Sequence, residues 1–140
     1  MSALDPSRHS WMTAEETRAV LRALKENGGE ARFVGGAVRN ALLGEKTGDI
    51  DIATPLTPDE VLHRLQQARL GIAPTGLAHG TITAIAGGKP FEITTLRRDV
   101  STDGRRATVA FTKEWREDAA RRDFTINALY ADEAGNVFDY

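Results

Sequence analysis

Two carboxylates two residues apart, Asp49 and Asp51, lie in the run GDIDIAT at 48–54, where aspartate and isoleucine alternate. A strand sends alternate residues to opposite faces, so Asp49 and Asp51 share one face and Ile50 and Ile52 the other. Their backbone positions are then roughly 6.5 to 7 Å apart, and the side chains can converge on one divalent ion or bracket a pair about 3.5 to 4 Å apart. Hard oxygen donors of this kind suit Mg²⁺, with Mn²⁺ as the alternative, and such ions complete their shell from water and substrate phosphate. An amphipathic strand with two solvated aspartates on its outer side has the same pattern, and the pair alone does not separate the two readings.

The neighbouring run RFVGGAVRN at 32–40 supplies a second group. Gly35 and Gly36 leave bare backbone between a short apolar strand and a helix, which lets a phosphate approach amides at a helix start. Arg39, one turn on, is placed to clamp phosphate oxygens. The bland counterparts are a tight strand-to-helix turn and a surface cation. Further along, Phe91 and Ile93 share a face, so Glu92 points the other way. Arg121, Arg122 and Asp123 follow an acidic pair at Glu117 and Asp118. They read either as a salt-bridged helix end or as a triphosphate contact with Asp123 orienting it.

The elements that must hold these residues follow from periodicity and breakers. Thr13 and Glu16 have capping-box spacing before a helix with Val20, Leu21 and Leu24 on its apolar side, closed by Asn27, Gly28 and Gly29. Residues 1–12 form a loose lead-in from which Trp11 and Met12 can dock on the body, and 13–140 form one domain. Ala31 to Val34 is a buried strand, followed by a helix to about Gly44. Thr57, Pro58 and Glu60 cap another helix that buries Val61, Leu62 and Leu65. Thr81 to Ala86 and Lys89 to Leu96 make a hairpin about Gly87 and Gly88. Arg97 to Arg106 is charged and turn-rich and reads as a mobile loop, followed by a strand at Thr108 to Phe111. Glu114 to Arg122 is helical, and Leu129 to Asp132 and Val137 to Tyr140 are strands. The end in a strand pattern suggests a piece of something longer.

Composition narrows the classes. At 140 residues, with 41% hydrophobic and 27% charged residues, the chain has the makings of one globular domain. A net charge of −2 gives no bulk attraction to nucleic acid, so any such contact needs a local Arg or Lys cluster. The absence of cysteine removes thiolate chemistry and cysteine-zinc sites and is compatible with a reducing, cytoplasmic setting. No stretch approaches the length of a signal peptide or a membrane span, so a membrane partner is not expected. His9, His63 and His79 lack metal-ligand spacing, and His79 before Gly80 reads as a turn or strand-entry residue. GEKT at 44–47 lacks the spacing of a Walker loop, and DID does not continue into an EF-hand.

Five blocks in one order are more specific than any part: FVGGAVRN at 33–40, GDIDIAT at 48–54, HGT at 79–81, FEITTLR at 91–97 and RRDFTINA at 121–128. From Arg32 onward the chain resembles the head domain of class II tRNA nucleotidyltransferases, the CCA-adding enzymes, and of the related bacterial poly(A) polymerases. The resemblance implies an α+β nucleotidyltransferase (polymerase beta-like) fold: a small mixed or mainly antiparallel sheet with helices packed on one face and carboxylates on the other. It implies Asp49 and Asp51 as metal-binding carboxylates, Glu92 as a third active-site carboxylate, and Gly35, Gly36, Arg39 and Arg122 at the nucleotide. Arg121, Asp123 and Asn127 are supporting members by the same resemblance, and 97–106 corresponds to the family's flexible loop. Asn40 stands where the family usually has Asp, the loop lacks a common Tyr, and Ala107 replaces a frequent Pro. The neck that selects the base and the helices that hold tRNA have no counterpart in these residues.

The implied reaction is transfer of CMP or AMP from CTP or ATP to the tRNA 3′ end, with Mg²⁺ and release of pyrophosphate. Activity from these residues alone should be weak or absent. The rivals are a poly(A) polymerase head, with the same chemistry and a longer product, and a non-catalytic nucleotide- or RNA-binding module on the same fold.

Overall fold

The computed structural model describes residues 4–44, 50–73, 80–102, 107–122 and 128–140, without the side chains of 100–102 and 107–109. Its strands are β1 (Arg32–Val34), β2 (Ile50–Thr54), β3 (Gly71–Ala73), β4 (Thr81–Ala86), β5 (Lys89–Thr95), β6 (Arg97–Thr102), β7 (Ala107–Phe111), β8 (Leu129–Ala131) and β9 (Val137–Asp139). Its α-helices are α1 (Ser10–Thr13), α2 (Glu15–Lys25), α3 (Gly36–Leu42), α4 (Pro58–Gln67) and α5 (Trp115–Ala120). Seven strands form one sheet in the order β3-β4-β5-β2-β1-β8-β9, and β6 and β7 form a separate ribbon. Every neighbouring pair is antiparallel except β2 and β5, which run parallel. This is the mixed, mainly antiparallel α+β architecture expected from the sequence.

The parallel pair follows from what lies between its members. After β2 the chain enters α4, whose start is fixed by a complete capping box: Thr57 Oγ1 accepts from the Glu60 amide, and the Glu60 carboxylate accepts from the Thr57 amide. The helix carries the chain back along the sheet. The β4–β5 hairpin, turned by Gly87 and Gly88 at φ 59° and 77°, then brings β5 in beside β2.

Side-chain parity divides the molecule. Phe33, Ile52, Ile82, Phe91 and Ile93 point to one face and are essentially solvent-free, packed under Val20, Leu21 and Leu24 of α2 and Val61 and Leu65 of α4. The opposite face is open over much of its area, but α5 closes one end of it. Trp115 and Ala119 there meet Val34, Ala53, Leu96 and Tyr130 in a smaller cluster.

Two local expectations are corrected. Thr13 does not cap α2: it is the last residue of α1, and Ala14 stands at the N-cap with no side-chain hydrogen bond. The nearby hydroxyl with a tertiary role is that of Thr17, which donates to the Trp11 carbonyl at 2.6 Å. Trp11 packs edge-on against Phe33 at 4.8 Å, Met12 is buried, and the Leu4 amide donates to the Gly135 carbonyl at 2.7 Å, so the described residues ahead of α2 are tied to the body. The charged run from Arg97 is not a loop over its first part, because it pairs with β7 as β6 and carries an irregularity between Asp99 and Ser101. Strand β3, short and led by Gly71, gave no alternating pattern to read. Residues 103–106 of the expected loop, and His79, lie outside the described residues.

Candidate active site

The parallel register puts Asp51 directly beside Glu92. Parallel strands lie about 4.8 Å apart, and residues in register point to the same side. The two carboxylates therefore share the open face, while Ile50, Ile52, Phe91 and Ile93 are buried beneath them. Asp51 is half-buried and Glu92 exposed. Thr83 of β4 is opposite Glu92 and extends the polar row by one strand. The parity inferred for Glu92 from Phe91 and Ile93 is thus the observed one. Its partner, 41 positions back in the chain (92 minus 51), could not be read from periodicity because only the crossover sets it.

The glycine turn lies at the same end of the sheet. Strand β1 runs antiparallel to β2, so its last residue, Val34, is at the end where β2 begins, and Gly35 follows at once. Gly35 has φ 70° and ψ −130°, a region essentially confined to glycine. A Cβ built there meets nothing within 4 Å, so the space beside the turn is open and the constraint is conformational. The Gly35 amide is already committed to the Leu129 carbonyl at 3.3 Å. A phosphate at this turn therefore relies on the amides of 36–38, which have no partner within the helix. Helix α3 has seven residues, so its dipole is weak support and Arg39 is the main source of positive charge. The Arg39 side chain folds back toward Gly36, with Nη2 3.4 Å from a Cβ built there. Arg39 Nε donates to Asn40 Oδ1 at 3.3 Å.

The third segment arrives at this end too, because Gly35 is bonded to Leu129 and Tyr130 is the register partner of Val34. Arg121 and Arg122 close α5 on the open face. Arg121 Nε is 3.7 Å from Asp99 Oδ1 of β6. Arg122 is anchored on Asp118: Nε donates to Oδ2 at 3.1 Å, and Nη2 is also 3.1 Å away. Asp118 is almost fully buried; its Oδ1 accepts from the Arg97 amide at 3.0 Å and its Oδ2 also from the Tyr130 hydroxyl. Burial, then donation to this carboxylate, pushes the Tyr130 phenol above its ordinary range, so it remains a donor at working pH. Burial, then repulsion by Arg121, lowers Arg97, which nonetheless stays protonated.

Of the residues singled out in the sequence, Gly35, Gly36, Arg39, Asp51, Glu92, Arg121 and Arg122 are described, and all lie at one end or on the open face of the sheet. Asp49, Asp123 and Asn127 lie outside the described residues. Asp118 and Tyr130 were not singled out. The i, i+4 spacing of Asp118 and Arg122 was visible as a salt-bridged helix end, but not that the carboxylate is buried. Among the described residues no three His, Cys, Asp or Glu side chains cluster as metal ligands. The adjacent Asp51 and Glu92 nonetheless offer hard oxygen donors on an open polar face, which fit a divalent ion that takes the rest of its shell from phosphate and water.

Residues 31–140 match the family described as poly A polymerase head domain, and the chain belongs to that family. It is 51% identical over 118 residues to the human mitochondrial CCA tRNA nucleotidyltransferase 1, covering 84% of this chain and 27% of that protein. It is 41% identical over 123 residues to the CCA-adding enzyme of Bacillus cytotoxicus, covering 86% and 30%. Among solved structures, it superimposes on the Bacillus stearothermophilus CCA-adding enzyme in complex with CTP with a TM-score of 0.76 at 39% identity, over 89% of this chain and 29% of that one. A tRNA nucleotidyltransferase complexed with a primer tRNA and an incoming ATP analog matches at 0.65 and 29% identity, over 86% and 34%. The chain thus spans less than a third of the length of these two curated relatives.

Proposed function

We propose that this chain is the catalytic head of a template-independent RNA nucleotidyltransferase that transfers CMP or AMP from CTP or ATP to the 3′ end of tRNA. The observation that carries the reading is the register of Asp51 beside Glu92 on the open face, next to the Gly35 turn. Asp49 and Asp51 would hold the divalent ions, Mg²⁺ or Mn²⁺, with Glu92 as the adjacent carboxylate. Bound there, such ions would offset the charge of the triphosphate and make the attacking hydroxyl more acidic. The chain's own part is placement. The bare backbone after Gly35 admits the triphosphate, Arg39 and Arg122 clamp its oxygens, and Arg121, Asp123 and Asn127 support that clamp. Base selection and the grip on tRNA belong to the further length that the relatives possess.

The test is single-turnover incorporation of labelled CTP into tRNA lacking CCA, comparing this chain with a protein extended to the relatives' length. The extended protein should add the terminus in order, and the 140 residues alone should be slow or inactive. Robust ordered addition by the short chain would remove the division of labour proposed here. The family's own description supports a second reading, a poly(A) polymerase. It is separated by product length on RNA, a long A tail against three nucleotides. Nucleotide binding of equal strength without Mg²⁺, and no turnover in the extended protein, would point instead to a binding module.

A further inference from the structure

We propose that Asp118 is a positioning residue of this site: its buried carboxylate sets the direction of the Arg122 guanidinium and ties it to the start of β6. The inference rests on the reading of Arg122 as a nucleotide contact. Asp118 is 1% exposed on α5, whose Trp115 and Ala119 pack in one apolar cluster with Val34, Leu96 and Tyr130. A carboxylate in such a place is a poor device for stability alone, since apolar residues of similar size usually serve a fold as well or better. Its partners suggest what it is for. Oδ2 takes both Nε and Nη2 of Arg122, which holds one edge of the guanidinium and turns the Nη1 edge away from Asp118. The Tyr130 hydroxyl, rising from the sheet, donates to the same oxygen and limits its rotation. Oδ1 takes the Arg97 amide, where β5 passes into β6.

One side chain thus fixes a guanidinium, a sheet tyrosine and the base of the β6–β7 ribbon in a single arrangement. It also offsets a local crowding of like charge, because Arg121 and Arg122 both act on Arg97 as repelling cations. Without the carboxylate, Arg122 keeps its charge and its contact with Tyr130 but loses the two-nitrogen hold that fixes its edge. A flexible cation clamps phosphate less well than one already in place.

The experiment is a double-mutant cycle read by calorimetric binding of Mg–CTP to the full chain, with melting temperatures measured beside it. Asp118→Asn should weaken binding about tenfold, and Arg122→Ala by at least as much. The double variant should bind no more weakly than Arg122→Ala alone, because Asp118 acts through Arg122. If the two losses multiply, or Asp118→Asn binds like the parent while only melting lower, the carboxylate is an anchor for α5 and the proposal falls. If the unsubstituted chain fails to bind Mg–CTP, the nucleotide reading falls first and takes this inference with it. Should Asp118→Asn fail to fold, the unsubstituted chain still decides. Arg122 locked on a carboxylate gives a distinct, slowly exchanging side-chain Nε–H resonance, whereas a rapidly exchanging, averaged one overturns the proposal.

Discussion

The two faces of the sheet are built on opposite terms. Under α2 and α4, Phe33, Ile52, Phe91 and Ile93 sit among apolar partners, and burial of area does the stabilising. On the other face, the same strands present Asp51 and Glu92 side by side, and α5, the one described helix there, packs on a small apolar cluster and carries the buried Asp118 carboxylate. Alternation along β2 and β5 means that every residue serving one face leaves the next to serve the other. The chemistry therefore rides on the packing without contributing much to it, and the two should respond separately to substitution.

The sharpest way to break that separation is at Asp51. In a protein of the relatives' length, Asp51→Ala should lower turnover by on the order of 10³-fold, about 4 kcal/mol of barrier, with little change in melting temperature. Near-normal turnover would reject the metal assignment, and a large fall in melting temperature would mean the two faces are not independent. Phe33→Ala is the mirror case: it should cost about 3 to 5 kcal/mol of stability in denaturant unfolding, leaving nucleotide affinity of the folded fraction close to the parent value.

Gly35→Ala tests the seam between the faces. Its backbone conformation suits only glycine, so the substitution should cost about 1 to 3 kcal/mol and also weaken Mg–CTP binding by displacing the start of α3. A loss of stability with unchanged binding would separate the turn from the site. The smallest effect is expected far from the chemistry, at Thr57→Ala, which opens the α4 capping box at about 1 kcal/mol and leaves binding untouched. The Thr57 hydrogen bonds hold the Glu60 carboxyl below its ordinary value. Their contribution is accordingly present above the unfolded carboxylate's pKa and is lost as pH falls through the lower folded value. Thermal melts of Thr57→Ala and parent should draw closer from neutral to acid pH as the bond from the Thr57 hydroxyl to the Glu60 carboxylate is lost, and a gap that widens would reverse the sign.

Much of this was legible in the sequence. The Asp–Ile alternation, the glycine pair, the Thr57 box and the hairpin at Gly87 and Gly88 are local signals, because each depends on backbone conformation or side-chain period within a few residues. The failures were also local in origin. Thr13 had the spacing of a cap but lay inside a preceding helical turn, and the charged run after Leu96 hid a strand whose partner, β7, pairs with it from further along the chain.

The sequence by itself determined which residues face which way on β2 and β5, and hence that Asp51 and Glu92 each stand opposite a buried row. Only the tertiary structure decided that the two are neighbours, since the parallel register depends on a crossover through α4 that no period encodes. It alone decided as well that Asp118, one of two acids on a short helix, is the buried one. Burial is set by what α5 lands on, and Val34, Leu96 and Tyr130 come from three distant parts of the chain.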